Sequence, residues 1–397
     1  MKSDDYVCIL GGGAVRGIAY IGAIKALSEL GINCRSFAGS SVGAIFASLF
    51  ALDCSVEEIK NIFYDFNFFM FKDLNFGFGT EFAFSKGDVF EEWIREQIEK
   101  TFYKSKYVKG ENPQVTFKNL PKDLYICTTD LKKNAQFVFS KENTPDFEVA
   151  KAVRISACFP GLMKPVEYEE KLLVDGDLAQ SIPVWKSVKK LLDYDARILE
   201  FRLEGAKENV NLKSFVDYLN SVYSAFTNFC ADGIAQTYNE KDNFDYILID
   251  TKNVLLLDFN LSNEEKDRIS QNGYDSTIKY FKETLVNKKK KLLPLYENIS
   301  GFLNSLKQSV KENKTVRTKK LIFEFFTMNS DNFDNLDENF IREFKNLKNQ
   351  ILKDISDVSI LKIPKLNNKT EYIKIIQGLT EKCDFIIKDF KNYIEKF

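Results

Sequence analysis

Residues 39–43 read Gly-Ser-Ser-Val-Gly, which has the form G-x-S-x-G with Ser41 at its centre. The motif lies between a predicted strand at 36–38 and a predicted apolar helix at 42–52. In such a strand–turn–helix setting the glycines permit a sharp turn that projects the serine at the sheet edge. The helix dipole favours negative charge there, so we predict Ser41 as a nucleophile, with a chance match as the alternative.

The chain contains no histidine, which excludes Ser-His-Asp and Cys-His sites and any metal held by imidazole. A serine hydroxyl needs a positioned base, which must then be a carboxylate, a lysine, a tyrosine or a cysteine. Asp175 follows the strand-like run 172–174, and open α/β sheets place their active sites at the carboxyl ends of strands. We therefore predict a dyad of Ser41 and Asp175, although an Asp-Gly pair is also common in simple turns.

Residues 11–17, Gly-Gly-Gly-Ala-Val-Arg-Gly, connect a predicted strand to a predicted helix. Such a loop presents backbone N–H groups that suit a phosphate or the oxyanion of an acyl-transfer intermediate. The dinucleotide fingerprint G-x-G-x-x-G is imperfect because Arg16 stands where the third glycine is needed, and the G-K-[ST] of a P-loop is missing. This loop has three interpretations: it binds a nucleotide in an α/β protein, it stabilises an oxyanion, or it is a tight turn that binds nothing.

Strand and helix patterns alternate through the first 285 residues. Short apolar runs predict strands at 6–10, 32–38, 125–129, 136–139, 172–174, 198–203 and 246–249. Helical spacing predicts helices at 18–27, 42–52, 87–102, 146–157 and 212–236. The alternation indicates an α/β fold with a mainly parallel central sheet flanked by helices.

The composition changes near residue 285, where glycine becomes rare and Lys, Asn and Phe recur with helical periodicity. We predict a catalytic domain at 1–285 and a helical C-terminal extension at 286–397 whose role the sequence leaves open. The lysine run 288–291 suits attraction to anionic lipid head groups. A solvated helix end is the favoured interpretation of that run.

The chain has 397 residues with 56 Lys+Arg against 57 Asp+Glu, so the basic footprint of a nucleic-acid-binding protein is absent. Its seven cysteines are widely spaced without a C-x-x-C pair, which argues against a disulfide framework and a Cys-only zinc site. Reduced thiols favour a cytoplasmic location, with peripheral membrane attachment and export as an effector as alternatives. We expect no signal peptide, and no apolar stretch reaches the ~18 residues that span a bilayer.

Four blocks of the sequence resemble the patatin-like phospholipases, particularly their bacterial members. The blocks are the glycine-rich loop at 11–17, the elbow at 39–43, the small residues and prolines at 154–165, and Asp175-Gly176 followed by Ile182-Pro183. They agree with the family in order and spacing. The resemblance covers about residues 4–205 and weakens toward 285.

The resemblance implies a three-layer α/β/α fold and metal-independent hydrolysis of lipid acyl esters by Ser41 and Asp175, of the phospholipase A or lysophospholipase type. It implies an oxyanion hole made by the backbone N–H groups of Gly11, Gly12, Gly13 and Ala14. Neutral-lipid or water-soluble esters are alternative substrates for the same mechanism. Asp177 is a departure, since the family often has Gly or Ala there, and we predict that it is structural.

Substrate and partners depend on two further features. The segment 63–84 is rich in phenylalanine and broken by Gly77 and Gly79, which suits a lid or an apolar wall as well as an aromatic core. Arg16 suits either a lipid phosphate or support of the loop. We expect a lipid substrate, contact with a membrane surface and no nucleic-acid partner. The sequence leaves open whether a protein or small molecule activates the chain and what its oligomeric state is. A non-enzymatic scaffold of the same fold is also an open alternative.

Overall fold

The computed structural model describes most of the chain, in two compact units. The described residues are 6–64, 83–179, 188, 197–205, 218, 221, 222, 225, 233, 241–252, 254–256, 258, 260–356, 366 and 368–397. The first unit comprises Met1–Asn239 and Phe244–Lys279, and the second comprises Glu240–Asn243 and Tyr280–Phe397.

Eight strands among the described residues of the first unit form one mixed sheet. Their spatial order is β10 (Phe244–Asp250), β9 (Arg197–Glu204), β1 (Tyr6–Leu10), β2 (Cys34–Gly39), β4 (Asp123–Asp130), β8 (Lys171–Asp175) and β7 (Val166–Tyr168), with β5 (Ala135–Phe139) also on β4. The first five strands are parallel, whereas β5 and β8 run antiparallel to β4 and β7 runs antiparallel to β8. A separate parallel pair joins β3 (Ala83–Ser85) and β6 (Gly161–Met163). The predicted sheet with a parallel centre is confirmed.

Helices flank this sheet. They are α1 (Ala19–Leu30), α2 (Val42–Ala51), α3 (Val56–Tyr64), α4 (Asp88–Tyr103), α5 (Val149–Ser156) and α6 (Asn263–Lys279). The start of α3 is fixed by a capping box, in which the Ser55 N–H donates to Glu58 Oε2 at 2.8 Å and the Glu58 N–H donates to Ser55 Oγ at 3.2 Å. Ile182-Pro183 and almost all of the helix predicted at 212–236 lie outside the described residues.

Aromatic rings join α1, α2 and α3 in the core. The rings of Tyr20 and Phe46 meet edge to face at 5.6 Å, and those of Phe46 and Phe63 stack at 4.2 Å. A second buried cluster includes Ile9, Tyr125 and the helical residue Val188. Phe63, the first phenylalanine of the 63–84 segment, is therefore a core residue, and residues 65–82 lie outside the described residues.

The second unit is built from helices. They are α7 (Leu285–Lys311), α8 (Thr315–Met328), α9 (Glu338–Ser356) and α10 (Lys369–Lys396). Their apolar faces enclose an aromatic core around Tyr296, Phe344 and Phe390. The interpretation of the lysine run as a solvated helix end is wrong for Lys288 and Lys289, which are buried. Lys289 Nζ lies 3.0 Å from Asp389 Oδ2 and 4.2 Å from the Phe390 ring centre, so a paired charge replaces solvent there.

The fold bears on the expectations that no segment spans a bilayer and that the cysteines are reduced thiols. Among the described residues, no helix combines the length and apolar character needed to cross a membrane. Six cysteines lie in the described part of the chain, where all are buried and none forms a disulfide. Cys230 lies outside it.

Candidate active site

The serine of the G-x-S-x-G motif lies on a strained turn between β2 and α2. Ser41 has φ 53° and ψ −128°, a conformation that costs an L-residue energy and is characteristic of a nucleophile elbow. The turn packs tightly, since a Cβ atom placed on Gly43 would lie 2.0 Å from the Leu10 carbonyl oxygen. Ser41 is therefore held, partly exposed, at the carboxyl edge of the sheet and at the start of α2.

Ser156 anchors the elbow from below. The Ser41 N–H donates to Ser156 Oγ at 3.1 Å and to the Ser156 carbonyl at 3.2 Å. Ser156 Oγ donates in turn to the Cys127 carbonyl on β4 at 2.6 Å. The Ser41 N–H is consequently occupied, and Ser156 is a supporting residue that the sequence marks only as a small residue within the 154–165 block.

The glycine loop lies directly beside Ser41. A Cβ atom placed on Gly12 would be 2.9 Å from Ser41 Cβ. Gly13 has φ 151°, a region that favours glycine. The Gly11 N–H donates to the Phe201 carbonyl at 3.1 Å and so belongs to the sheet. Among the described residues, the N–H groups of Gly12, Gly13 and Ala14 have no hydrogen-bond acceptor, which leaves these three of the four predicted oxyanion donors available.

Arg16 supports the loop from inside the first unit. It is 6% exposed, and its Nε donates to the Val254 carbonyl at 2.8 Å. A Cβ atom on Gly205 would lie 2.1 Å from its Cζ, so the guanidinium packs flat on the chain there. Burial lowers the pKa of Arg16 to about 10. These contacts match loop support, the second of the two roles expected for this residue.

Asp175 ends β8 at the same sheet edge. It is fully buried, its N–H donates to the Cys158 carbonyl at 3.0 Å, and its carbonyl accepts from Thr129 Oγ1 at 2.8 Å. Asp175 Oδ1 accepts the N–H of Asp177 at 2.9 Å. A Cβ atom on Gly176 would lie 3.0 Å from Ser40 Cβ, so the segment that carries Asp175 lies against the elbow. Folding thus brings two predicted site residues, Ser41 and Asp175, to one edge.

A buried charged cluster beneath the loop was not predicted from the sequence. Asp177, Glu200 and Arg202 are at most 4% exposed. Ser40 Oγ donates to Asp177 Oδ1, Arg202 Nη1 lies 3.7 Å from the same oxygen, and Arg202 Nε lies 2.7 Å from Glu200 Oε1. Burial raises the pKa of Glu200. Burial by itself would lower the pKa of Arg202, but the carboxylates of Glu200 and Asp177 raise it above its usual value.

No group of three or more cysteine, aspartate or glutamate side chains in the described residues has the arrangement of a metal site. The polar groups at the sheet edge are instead a hydroxyl, carboxylates and backbone N–H groups. Such a set can transfer a proton from the serine and stabilise an oxyanion, which is the chemistry of acyl transfer.

Part of the chain is similar to a known family of phospholipases and to individual relatives. Residues 8–186 match the family model of the patatin-like phospholipases. An uncharacterized protein of Acanthamoeba polyphaga mimivirus is 27% identical over 67% of this chain and 90% of its own length. A probable lipid hydrolase of Invertebrate iridescent virus 6 is 24% identical over 46% of this chain and 62% of its own length.

Among solved structures, VipD from Legionella pneumophila is similar, with a TM-score of 0.48 and 16% identity over 99% of this chain and 88% of that chain. The matched family region, 8–186, contains the glycine loop, the Ser41 elbow and Asp175. The predicted resemblance to the patatin-like phospholipases is therefore confirmed as a match over residues 8–186 of the 397-residue chain.

Proposed function

We propose that this chain is a lipid acyl hydrolase that cleaves carboxylic esters through an acyl-serine intermediate on Ser41, with Asp175 as the base. The observation that carries the proposal is the strained Ser41 turn beside N–H groups without acceptors among the described residues. Asp175 is buried, and the segment that carries it lies against that turn. Its carboxylate is the base in this proposal. The chemistry belongs to 1–285 in this proposal, and the helical 286–397 region has another role.

In the first stage, Asp175 accepts the hydroxyl proton while Ser41 Oγ forms a bond to the ester carbonyl carbon. The carbonyl oxygen becomes an oxyanion, which the N–H groups of Gly12, Gly13 and Ala14 stabilise. Each such donor typically contributes ~3–4 kcal/mol. When the tetrahedral intermediate collapses, the ester C–O bond breaks and the protonated Asp175 gives its proton to the leaving alcohol.

In the second stage, Asp175 takes a proton from water as the water oxygen attacks the acyl-Ser41 carbonyl carbon. The same N–H groups stabilise the second oxyanion. Collapse breaks the acyl–Oγ bond, returns the proton to Ser41 and releases the fatty acid. The same carboxylate thus serves in both half-reactions, and the enzyme ends in its starting protonation state.

Phospholipase A or lysophospholipase activity is the substrate class we propose, in line with the family and with the lipid hydrolase among its relatives. The test is lipid profiling of liposomes treated with wild type and with Ser41→Ala. Wild type should release fatty acid and lysolipid, and the variant should not. Hydrolysis confined to triacylglycerol or to soluble esters would move the substrate class to the alternatives.

A fluorophosphonate probe tests the nucleophile directly. The probe should phosphonylate Ser41 in wild type, and peptide mapping should locate the adduct. A chain that is not labelled but binds a fluorescent nucleotide through the 11–17 loop would favour the nucleotide-binding alternative. A chain that does neither would favour a scaffold.

Chelation of metals should leave hydrolysis unchanged, because backbone N–H groups stabilise the oxyanion in this mechanism. The measurement is the initial rate on a soluble ester with and without EGTA or EDTA. Re-addition of calcium is the control for chelator side effects. A rate that falls with EGTA and returns with calcium would contradict metal independence.

Thiol reagents should also leave hydrolysis intact under native conditions. Burial raises the pKa of both Cys127 and Cys158, whose backbone carbonyls lie against Gly176 and Asp175, to about 12, so neither is a thiolate at neutral pH. Treatment with N-ethylmaleimide should not change the rate, and mass spectrometry should find these two residues unmodified until urea is added. Inactivation that accompanies modification of either thiol would count against serine as the nucleophile.

We further propose a cytoplasmic protein that acts at a membrane surface, with export as an effector as the alternative. Substrates of this class reside in membranes, so the proposed activity requires such contact. Co-sedimentation with anionic liposomes measures it. An activating protein or small molecule would be detected as a rate increase when cell extract is added to the purified chain.

A further inference from the structure

Asp177 is a buried carboxylate that the proposed mechanism does not use. It is 1% exposed, although an aspartate buried to this degree normally requires a partner. Its Oδ1 accepts a hydrogen bond from Ser40 Oγ and lies 3.7 Å from Arg202 Nη1. Ser40 is the residue immediately before the nucleophile, so Asp177 holds one side of the elbow.

The other oxygen of this carboxylate lies against the oxyanion loop. A Cβ atom placed on Gly12 would be 1.6 Å from Asp177 Oδ2 and 2.9 Å from Ser41 Cβ. The carboxylate and the nucleophile therefore converge on the same α-carbon. Only glycine fits at position 12 while Asp177 occupies this place.

Arg202 completes the contact from below. A Cβ atom on Gly11 would lie 2.8 Å from Arg202 Nη1 and 2.9 Å from its Cδ, so the arginine side chain packs directly under the loop. Two buried acids, Asp177 and Glu200, keep this arginine charged. One oxygen of the Asp177 carboxylate can accept the Ser40 hydrogen bond and also face Arg202. The amide of an asparagine at this position would place either its oxygen or its NH₂ group there.

We propose that Asp177 is a positioning residue that, with Arg202, sets the separation between the nucleophile elbow and the oxyanion loop. The elbow follows β2 and the loop follows β1, and Asp177 contacts both from a third segment after β8. The separation matters because the oxyanion donors must meet the carbonyl that Ser41 attacks, and a displacement of about 1 Å can cost about 100-fold in rate. This role rests on the proposed function.

The experiment measures kcat and KM on a soluble ester for Asp177→Ala, Asp177→Asn, Ser40→Ala and the Ser40→Ala/Asp177→Ala double variant. We expect Asp177→Ala to lower kcat by roughly 10- to 100-fold with little change in KM. Asp177→Asn should lose less, because its amide oxygen can still accept from Ser40. The double variant should be no slower than Asp177→Ala, because the two side chains act as one unit.

Asp245→Asn is the matched control. Asp245 is also fully buried and paired with an arginine, Arg197, at 3.1 Å, but it lies near the amino end of β10, which β9 separates from β1. Its substitution should lower the melting temperature and leave kcat unchanged. The comparison separates a general loss of stability from a loss of positioning.

Four results would overturn the proposal. A loss at Asp177→Asn as large as that at Ser41→Ala would make Asp177 the base. Additive effects of the Ser40 and Asp177 substitutions, or an unchanged kcat in Asp177→Ala, would remove the positioning role. An equal loss of kcat in Asp245→Asn would reduce the effect to stability. These results presuppose an active wild type, whereas a wild type that hydrolyses no ester overturns the proposed function itself.

Discussion

Ser41→Ala should lower kcat for ester hydrolysis by at least about 1,000-fold, and Asp175→Asn should come close to the same loss. Without Oγ no acyl intermediate can form, and without the carboxylate Oγ keeps its proton during attack. The double variant should be no slower than either single variant, because residues that act as a unit lose their effect together. The residual rate in all three would come from binding and from the oxyanion donors.

The measurement is kcat on a soluble ester, together with fluorophosphonate labelling of each variant. Ser48→Ala is the matched control, because Ser48 lies on the same helix, α2, is fully buried, and donates its hydroxyl to the Ile45 carbonyl at 2.8 Å. It should keep wild-type kcat and labelling. Hydrolysis or labelling that survives in Ser41→Ala would remove Ser41 as the nucleophile, and an active Asp175→Asn would remove Asp175 as the base.

The elbow and the glycine loop could be predicted from the sequence because tight turns depend on a few adjacent residues. Ser41 lies at φ 53° as its flanking glycines suggest, and the loop at 11–17 follows β1 directly. Asp175 was also predicted to reach the carboxyl edge, but it does so in another way. Its strand, β8, runs antiparallel to β4, whereas β2 runs parallel to β4. Asp175 pairs with Thr128 of β4, two residues beyond Ile126, which pairs with Gly39 at the end of β2.

The charged cluster could not be predicted, because strand order is not a local property. Glu200 and Arg202 alternate with apolar residues in β9, a pattern that usually indicates a strand with one face in water. In the fold β9 lies between β1 and β10, so its charged side chains are buried under the glycine loop. For the same reason the sequence indicated nothing about the contact of Asp177 with Gly12, which joins segments 165 positions apart.

The burial of the lysine run in the second unit is likewise not a local property of the sequence. Charge alone predicts that four consecutive lysines are exposed to solvent. Successive helical side chains point in directions 100° apart, however, so some of the four must face the core. Lys288 and Lys289 face inward, where Asp389 and the Phe390 ring receive the Lys289 ammonium. Which lysines are buried depends on where α10 packs, and the run itself does not contain that information.

Gly43→Ala should damage both the stability and the activity of the first unit. The added Cβ would lie 2.0 Å from the Leu10 carbonyl oxygen and 2.6 Å from that of Gly11, and both are backbone atoms that cannot rotate away. The elbow would have to move away from β1 and from the glycine loop. We expect a loss of about 2–3 kcal/mol in the free energy of unfolding. A further fall in kcat of roughly 100-fold should accompany it, because the donors would no longer meet the attacked carbonyl.

Gly301→Ala is the matched control for this substitution, because Gly301 is an exposed residue inside α7 with no atom within 4 Å of the added Cβ. Helix propensity alone favours alanine at both positions, by about 0.5–1 kcal/mol. The control should therefore raise the melting temperature of the second unit and leave kcat unchanged, while Gly43→Ala lowers that of the first. Calorimetry that follows both units, with kcat on the same samples, gives the comparison. Helix propensity predicts a higher melting temperature for both substitutions. A rise in Gly301→Ala with a fall in Gly43→Ala can therefore arise only from the contact with Leu10 and Gly11. A Gly43→Ala chain of wild-type stability and rate would show that the elbow does not depend on this close packing.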